Sequence, residues 1–335
     1  MKDKILYISS GKSDYLQDLT YSGLVSLLGI DKVIEYPWNL NYHIPRKKYP
    51  RNMGYQKNTL FRSMMRLTDY SSVGLVIVGS CKAQAFEKHA EISGLIPAGI
   101  PVIFLDGGDA AAIGGDLIPG AGLSFTESEL LDKFDLIFKR EYLKTRDYPE
   151  KVLPLPFSFN YNNAVPAPQK PAYDVAFWAV ESDPLRTQAL TLLGGRFDCA
   201  SNGTTLNQNF YDYKRKGLDY LKELALVKIS LNFRGSGWDT MRYWEVPAVG
   251  SLMITPEPGI VIPDNFMAGK HIVFCKADLS DLLTLCEYYL AHETERKRIA
   301  LAGAAFAREK HSHLARTSYM LRIIREKTGF NYTIR

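Results

Sequence analysis

The chain has 335 residues, of which 46% are hydrophobic, 12% aromatic and 23% charged. Those fractions exclude disordered, collagenous and coiled-coil classes, and the length suits about two domains. Lys+Arg 41 against Asp+Glu 36 leaves a net charge of +5, too mild a surplus to imply nucleic-acid binding on its own. Cys81, Cys199, Cys275 and Cys286 form no C-x-x-C pair, so neither a zinc site nor a disulfide framework has its spacing. Four buried, reduced thiols are expected. The apolar run at residues 5–8 is too short for a signal peptide, and no stretch reaches the length of a membrane span. The expectation is a soluble cytoplasmic protein, with contact at the inner face of the membrane left open.

Short apolar runs alternate with segments of helical period, the pattern of parallel sheets covered by helices. In the first half, strands are predicted at residues 4–9, 32–35, 73–78, 101–105 and 136–138. Residues 15–28 read as a helix, with Leu16, Leu19, Gly23, Leu24 and Leu27 on one face. Residues 160–171, rich in asparagine and including Pro166, Pro168 and Pro171, read as a linker. The alternation then restarts. Strands are predicted at 173–178, 228–233 and 251–254, and helices at 184–193, 221–226, 240–249, 279–291, 295–311 and 314–327. The fold class is therefore α/β, with two open-sheet, Rossmann-like domains facing a cleft. The expected boundaries are 1–159, a linker at 160–171, 172–313, and a closing helical segment at 314–335. Such sheets bind ligands at the carboxyl ends of their strands.

The richest segment runs from residue 231 to 245. A strand ends, a loop containing Gly235 and Gly237 turns, and a helix begins with Asp239 as its expected N-cap. The glycines let a ligand approach the backbone, and the unpaired N–H groups of the helix start suit a phosphate. Arg234 stands at the strand end and Arg242 on the first helical turn. Two guanidiniums there suit a pyrophosphate. Glu245, three residues on and on the same face, suits paired sugar hydroxyls. The plain alternative is a surface Arg–Glu pair beside a tight turn. A dinucleotide fingerprint fails because its third glycine position is Thr240.

In the first half, Asp106 and Asp109 bracket two glycines at a strand end. They read either as a catalytic base facing the other domain or as an Asp/Gly turn. Residues 10–13 lack the upstream glycine of a phosphate loop, so Gly11 marks a strand-to-helix turn near the cleft. Between residues 36 and 68 stand seven basic residues, Arg46, Lys47, Lys48, Arg51, Lys57, Arg62 and Arg66, and no acidic one. That asymmetry fits an anionic acceptor, a nucleic acid or acidic lipid headgroups, or a solvated face. His311 and His313 read as a surface pair, with no cluster beside them that would hold a metal.

On the segment from Arg234 to Ser251, continuing through Pro258 and Gly259 to a helical tail, the chain resembles bacterial group-1-type glycosyltransferases, nearest to the spore-maturation branch. Residues 15–24, 106–109 and 138–142 carry weaker likenesses. The resemblance implies the GT-B fold, with an N-terminal acceptor domain, a C-terminal nucleotide-sugar domain and a last helix that returns to the first domain. It implies transfer of a sugar from a nucleotide diphosphate-sugar co-substrate to an unidentified acceptor, without a metal or other cofactor. Arg234, Gly235, Gly237, Asp239, Thr240, Arg242 and Glu245 would bind the donor, with Glu245 on the ribose. Asp106 and Asp109 are the catalytic candidates, and Gly11, Arg46, Lys47, Lys48 and Arg51 the acceptor-side ones. Many group-1 enzymes have a second glutamate eight residues before the first; here that position is Gly237. A nucleotide-sugar epimerase and a non-catalytic, two-lobed sugar-binding protein are the competing readings.

Overall fold

The computed structural model describes residues 2–65, 69–117, 125–166, 170–208 and 216–334. Pro168 of the expected linker and Arg66 of the basic segment lie outside them. The chain divides into two compact units. One comprises Met1–Phe157, Val261–Pro263 and His313–Arg335, the other Ser158–Ile260 and Asp264–Ser312.

The N-terminal unit is built on six strands: β1 (Lys4–Ile8), β2 (Val33–Tyr36), β3 (Val73–Val78), β4 (Val102–Asp106), β5 (Leu136–Lys139) and β6 (Val152–Pro154). Their order is β2-β1-β3-β4-β5-β6, and every pair is parallel. Strands covered on both faces read as unbroken apolar runs rather than alternating ones, and Val73–Val78 is such a run. The chain leaves β1 for β2 on one side and returns to β3 on the other. The carboxyl ends of β1 and β3 therefore flank a switch point, where open α/β sheets bind ligands. Four helices follow strands in this unit: α1 (Tyr15–Leu28), α2 (Leu60–Met64), α3 (Ala83–Ile92) and α4 (Glu127–Lys133).

The second unit holds β7 (Tyr173–Ala176), β8 (Val227–Leu231), β9 (Leu252–Pro256) and β10 (Val273–Cys275), ordered β10-β9-β8-β7 and all parallel. Its helices are α5 (Pro184–Leu193), α6 (Cys199–Asn202), α7 (Leu218–Ala225), α8 (Met241–Ala248), α9 (Leu282–Ala291) and α10 (Glu293–Lys310). The last helix, α11 (His313–Thr328), belongs to the N-terminal unit and packs on α1. Gly23 makes that contact close: a Cβ there would stand 2.0 Å from Thr317 Oγ1 and 3.0 Å from the His313 carbonyl oxygen. Helix α1 is consequently buried on more than its leucine face, Gln17, Asp18, Thr20 and Ser22 included.

The segment that begins the second unit is packed, with Phe159, Asn160 and Asn163 buried and the Arg308 guanidinium 4.4 Å from the Tyr161 ring centre. His311 and His313 are buried, not a surface pair. His311 ends α10 against the rings of Trp244 and Phe266, at 5.0 and 4.6 Å, so aromatic packing takes the imidazole inside. The four cysteines are free and buried. Burial pushes the Cys199 and Cys275 thiols up to about 12, which leaves them un-ionised and unreactive. No helix among the described residues is long and apolar enough to cross a membrane.

Candidate functional site

In the second unit, the predicted residues gather where β7 and β8 end. Phe177 and Trp178 follow β7, and residues 232–240 form the loop between β8 and α8. Arg242, on the first turn of α8, lies with its guanidinium 5.0 Å from the Phe177 ring centre and donates to the Trp178 carbonyl. Arg234 stacks on Trp238 at 4.8 Å and sets its Nε 3.2 Å from an Asp183 carboxylate oxygen. Both arginines are half-buried, so their charges are pinned by ring faces and still reach water.

The loop itself is fastened by a residue that the sequence reading missed. Arg186, one turn into α5, donates to the carbonyls of Arg234 (2.7 Å), Val180 (2.9 Å) and Phe233 (3.2 Å). Gly235 is needed for this clamp: a Cβ there would lie 2.9 Å from the Arg186 guanidinium. Its N–H donates to the Gly237 carbonyl at 2.9 Å, closing the turn.

Asp239 does not cap the helix. Helix α8 starts at Met241 and its N-cap is Thr240, which makes no side-chain capping bond. Thr240 Oγ1 donates instead to Asn232 Oδ1 at 2.7 Å, tying the helix start to the end of β8. Asp239 is buried and accepts the Trp244 indole N–H at 2.8 Å. An indole one turn away has no other polar group, so it outcompetes a backbone N–H that water or a ligand can satisfy. Glu245 is buried too, and accepts from the Tyr220 hydroxyl of α7 at 3.1 Å. The surface Arg–Glu alternative therefore does not describe these two residues. No sequence signal singled out Tyr220, since α7 reaches α8 only through folding.

In the N-terminal unit, Asp106 ends β4 and is 1% exposed. Its carboxylate accepts the buried Lys139 ammonium at 2.9 Å and the Gly114 N–H at 2.9 Å. Lys139 also donates to the carbonyls of Ala110 and Ala112, at 2.8 and 3.0 Å. Both bonds to Asp106 end on Oδ2, and Oδ1 is buried with no hydrogen-bond partner among the described residues. Residues 110–114 are thereby drawn over the end of β4, and as a base Asp106 would have only that covered oxygen to offer. Asp109, half exposed, pairs with Arg140.

Gly11 lies in the loop after β1, exposed, with φ +69°. The loop rests on a buried network again missed from sequence. Gln17 accepts the Ser10 N–H at 2.7 Å and donates to the Tyr42 hydroxyl at 3.0 Å, and that hydroxyl donates to Asp18 at 3.0 Å. Burial, with Asp14 nearby, pushes the Asp18 carboxyl up to about 7 against the lowering effect of its Gln17 and Tyr42 hydrogen bonds. Asp14 caps α1 and accepts the Ser80 hydroxyl at 2.7 Å, while Lys82 donates to the Ser13 carbonyl at 2.6 Å. The ends of β1 and β3 are thus cross-linked at the switch point. Arg46, Lys47, Lys48 and Arg51 are all exposed, on a loop beyond the end of β2.

With this geometry in place, known proteins can be compared. Residues 183–322 match the family model described as glycosyl transferase-like. That stretch holds every predicted donor-side residue. Three solved structures align over nearly the whole chain. HepE of Anabaena, solved with UDP and glucose, has a TM-score of 0.54 at 9% identity, covering 97% of this chain and 99% of its own. The sucrose-phosphate synthase of Thermosynechococcus elongatus has a TM-score of 0.54 at 11% identity, covering 98% and 100%. A glycosyltransferase of Rickettsia africae has a TM-score of 0.56 at 10% identity, covering 97% and 98%. The chain has the GT-B fold. No curated protein matches it in sequence. Within that fold the loop after β8, the start of α8 and Glu245 fall inside the glycosyl transferase-like stretch, whereas Asp106, Asp109 and the basic loop fall outside it.

Proposed function

We propose that the protein transfers a sugar from a nucleotide diphosphate-sugar to an acceptor handled by its N-terminal unit. The observation that carries this reading is the arrangement around α8. Two ring-stacked arginines, Arg234 and Arg242, stand at the helix start, and the buried Glu245 stands one turn on. In the transfer, a bond forms between an acceptor hydroxyl oxygen and the sugar's anomeric carbon as the bond to the diphosphate breaks. The electron pair leaves on the diphosphate, and a diphosphate oxygen takes up the proton that the hydroxyl loses. Charge grows on the leaving group, and guanidiniums fixed before the reaction stabilise it without reorganising. In this reading Arg234, Arg242 and the α8 amides take that charge, Glu245 takes the ribose hydroxyls, and no metal is required.

Gly235 makes way for the Arg186 clamp, Gly237 closes the turn through its carbonyl, and Thr240 and Asp239 hold the loop that would meet the phosphates. On the acceptor side, Asp109 is the remaining carboxylate of its pair, and Gly11 opens the loop after β1. The structural relatives solved with UDP or UDP-glucose make uridine nucleotides the first to try. The decisive experiment is a thermal-shift panel of nucleoside diphosphates and their sugars. A ligand at 100 times its Kd should stabilise the fold by about 2.7 kcal/mol. Stabilisation by NAD alone, or by none of the panel, would sink the proposal.

A further inference from the structure

Helix α2 exposes apolar side chains that no described residue of its unit covers. Phe61, Met64 and Met65 are 80%, 62% and 81% exposed. Positions three and four apart on a helical turn are neighbours, so the three form one stripe. Single exposed apolar residues are ordinary, but a contiguous group marks an interaction surface.

A cationic loop leads into the start of the same helix. Gln56 N–H donates to the Tyr42 carbonyl at 2.7 Å, and the His43 ring bonds Thr59 Oγ1 at 2.8 Å. These bonds close residues 44–58 into a loop whose stem abuts the start of α2. Arg46, Lys47, Lys48, Arg51 and Lys57 stand exposed on it. Arg62 pairs with Asp31 and is not counted with them. The run from residue 36 to residue 68 has no acidic residue to offset these charges.

We propose that this surface docks the protein on an anionic lipid bilayer. The stripe would enter the boundary between headgroups and acyl chains, and the loop cations would meet lipid phosphates. A soluble polyanion would use the loop and leave Phe61, Met64 and Met65 in water. An apolar protein partner would use the stripe and leave the charges idle. A bilayer engages both halves, with acyl chains for the stripe and phosphates for the cations. The proposal does not rest on the donor reading, and its test involves no nucleotide.

The test is co-sedimentation of the full chain with phosphatidylcholine vesicles, with and without phosphatidylglycerol, at low and high salt. Binding should need phosphatidylglycerol and fall with salt. Each lost cation should weaken it about fivefold, so Lys47→Ala/Lys48→Ala/Arg51→Ala should lose about a hundredfold. Phe61→Ser/Met65→Ser, with every charge intact, should lose at least about tenfold. Both sites are exposed, and unchanged circular dichroism melts would show the variants folded. Equal binding to pure phosphatidylcholine, or full vesicle binding by Phe61→Ser/Met65→Ser, would overturn the proposal. So would tighter binding to duplex DNA or inorganic polyphosphate than to vesicles.

Discussion

Asp106 illustrates how far a motif can be read without its partners. Two carboxylates around two glycines at a strand end are visible in the sequence, but Lys139 comes from the next strand and is not. With Lys139 2.9 Å away and both side chains almost wholly buried, the pair is a structural unit. Removing one partner of a buried pair strands the other charge, at a cost of about 3–5 kcal/mol. Asp106→Asn should therefore lower stability by that order in urea unfolding, whereas Asp109→Asn, half exposed, should change it little. An Asp106→Asn protein as stable as its parent yet inactive would restore Asp106 as the base.

The donor-side residues were more legible, for a physical reason. Glycines, arginines and a carboxylate at a strand-to-helix turn are all local in sequence. What holds them, Arg186, Trp178 and Tyr220, arrives from other elements and left no local mark. If Arg242 meets the diphosphate, Arg242→Ala should weaken nucleoside diphosphates about ten- to a hundredfold, the worth of a charge-assisted hydrogen bond. Its loss for the bare nucleoside should be small. Glu245→Gln should weaken nucleosides and nucleotides alike, because a ribose contact is independent of phosphate count. Tyr220→Phe should follow Glu245→Gln in pattern, at smaller size, since the tyrosine acts through the carboxylate. Calorimetry decides it: parental affinities in all three variants would place the donor elsewhere.

At the scale of elements, strength of pattern decided what could be read. The runs at 73–78 and 184–193 were assigned to the residue, as β3 and α5, because a β-branched run and a proline-led helical period are unambiguous. Strands β6 and β10 span only three residues each, too few to show any period. Helix α4 was missed although it carries a capping box between Thr126 and Glu129, a signal present in the sequence and not used. Gly23 was assigned to the apolar face of α1, but its reason is the approach of α11. Gly23→Ala should cost about 1–3 kcal/mol by overpacking. Thr317→Gly removes the nearer atoms of the clash, so the double variant should lose less than the two single changes summed. Strictly additive thermal denaturation effects would mean that α11 does not rest on Gly23.

For the molecule as a whole, period and composition carried the two-sheet α/β architecture, but not the order in which segments join each unit. Residues 261–263 and α11 join the N-terminal unit; the return of the last helix entered only through the family resemblance, because such long-range choices leave no periodic trace. The same burial that hides the N-terminal network from sequence gives it a global consequence. Asp18 has a folded pKa of about 7, raised by burial and by Asp14, against about 3.9 in an unfolded chain. Between those values the folded state holds a proton that the unfolded state has released. The contribution of Asp18 is therefore complete below about pH 4 and is lost as pH rises through about 7. The slope approaches about 1.4 kcal/mol per pH unit in that window. Other groups titrate there too, so the clean measurement is a difference. Asp18→Asn keeps the size and hydrogen-bonding capacity of the neutral carboxyl but cannot ionise. Its stability relative to the parent should rise from pH 5 to about pH 7 and level off above it in denaturant titrations. Parallel curves for parent and variant would show that Asp18 keeps an ordinary pKa despite its burial.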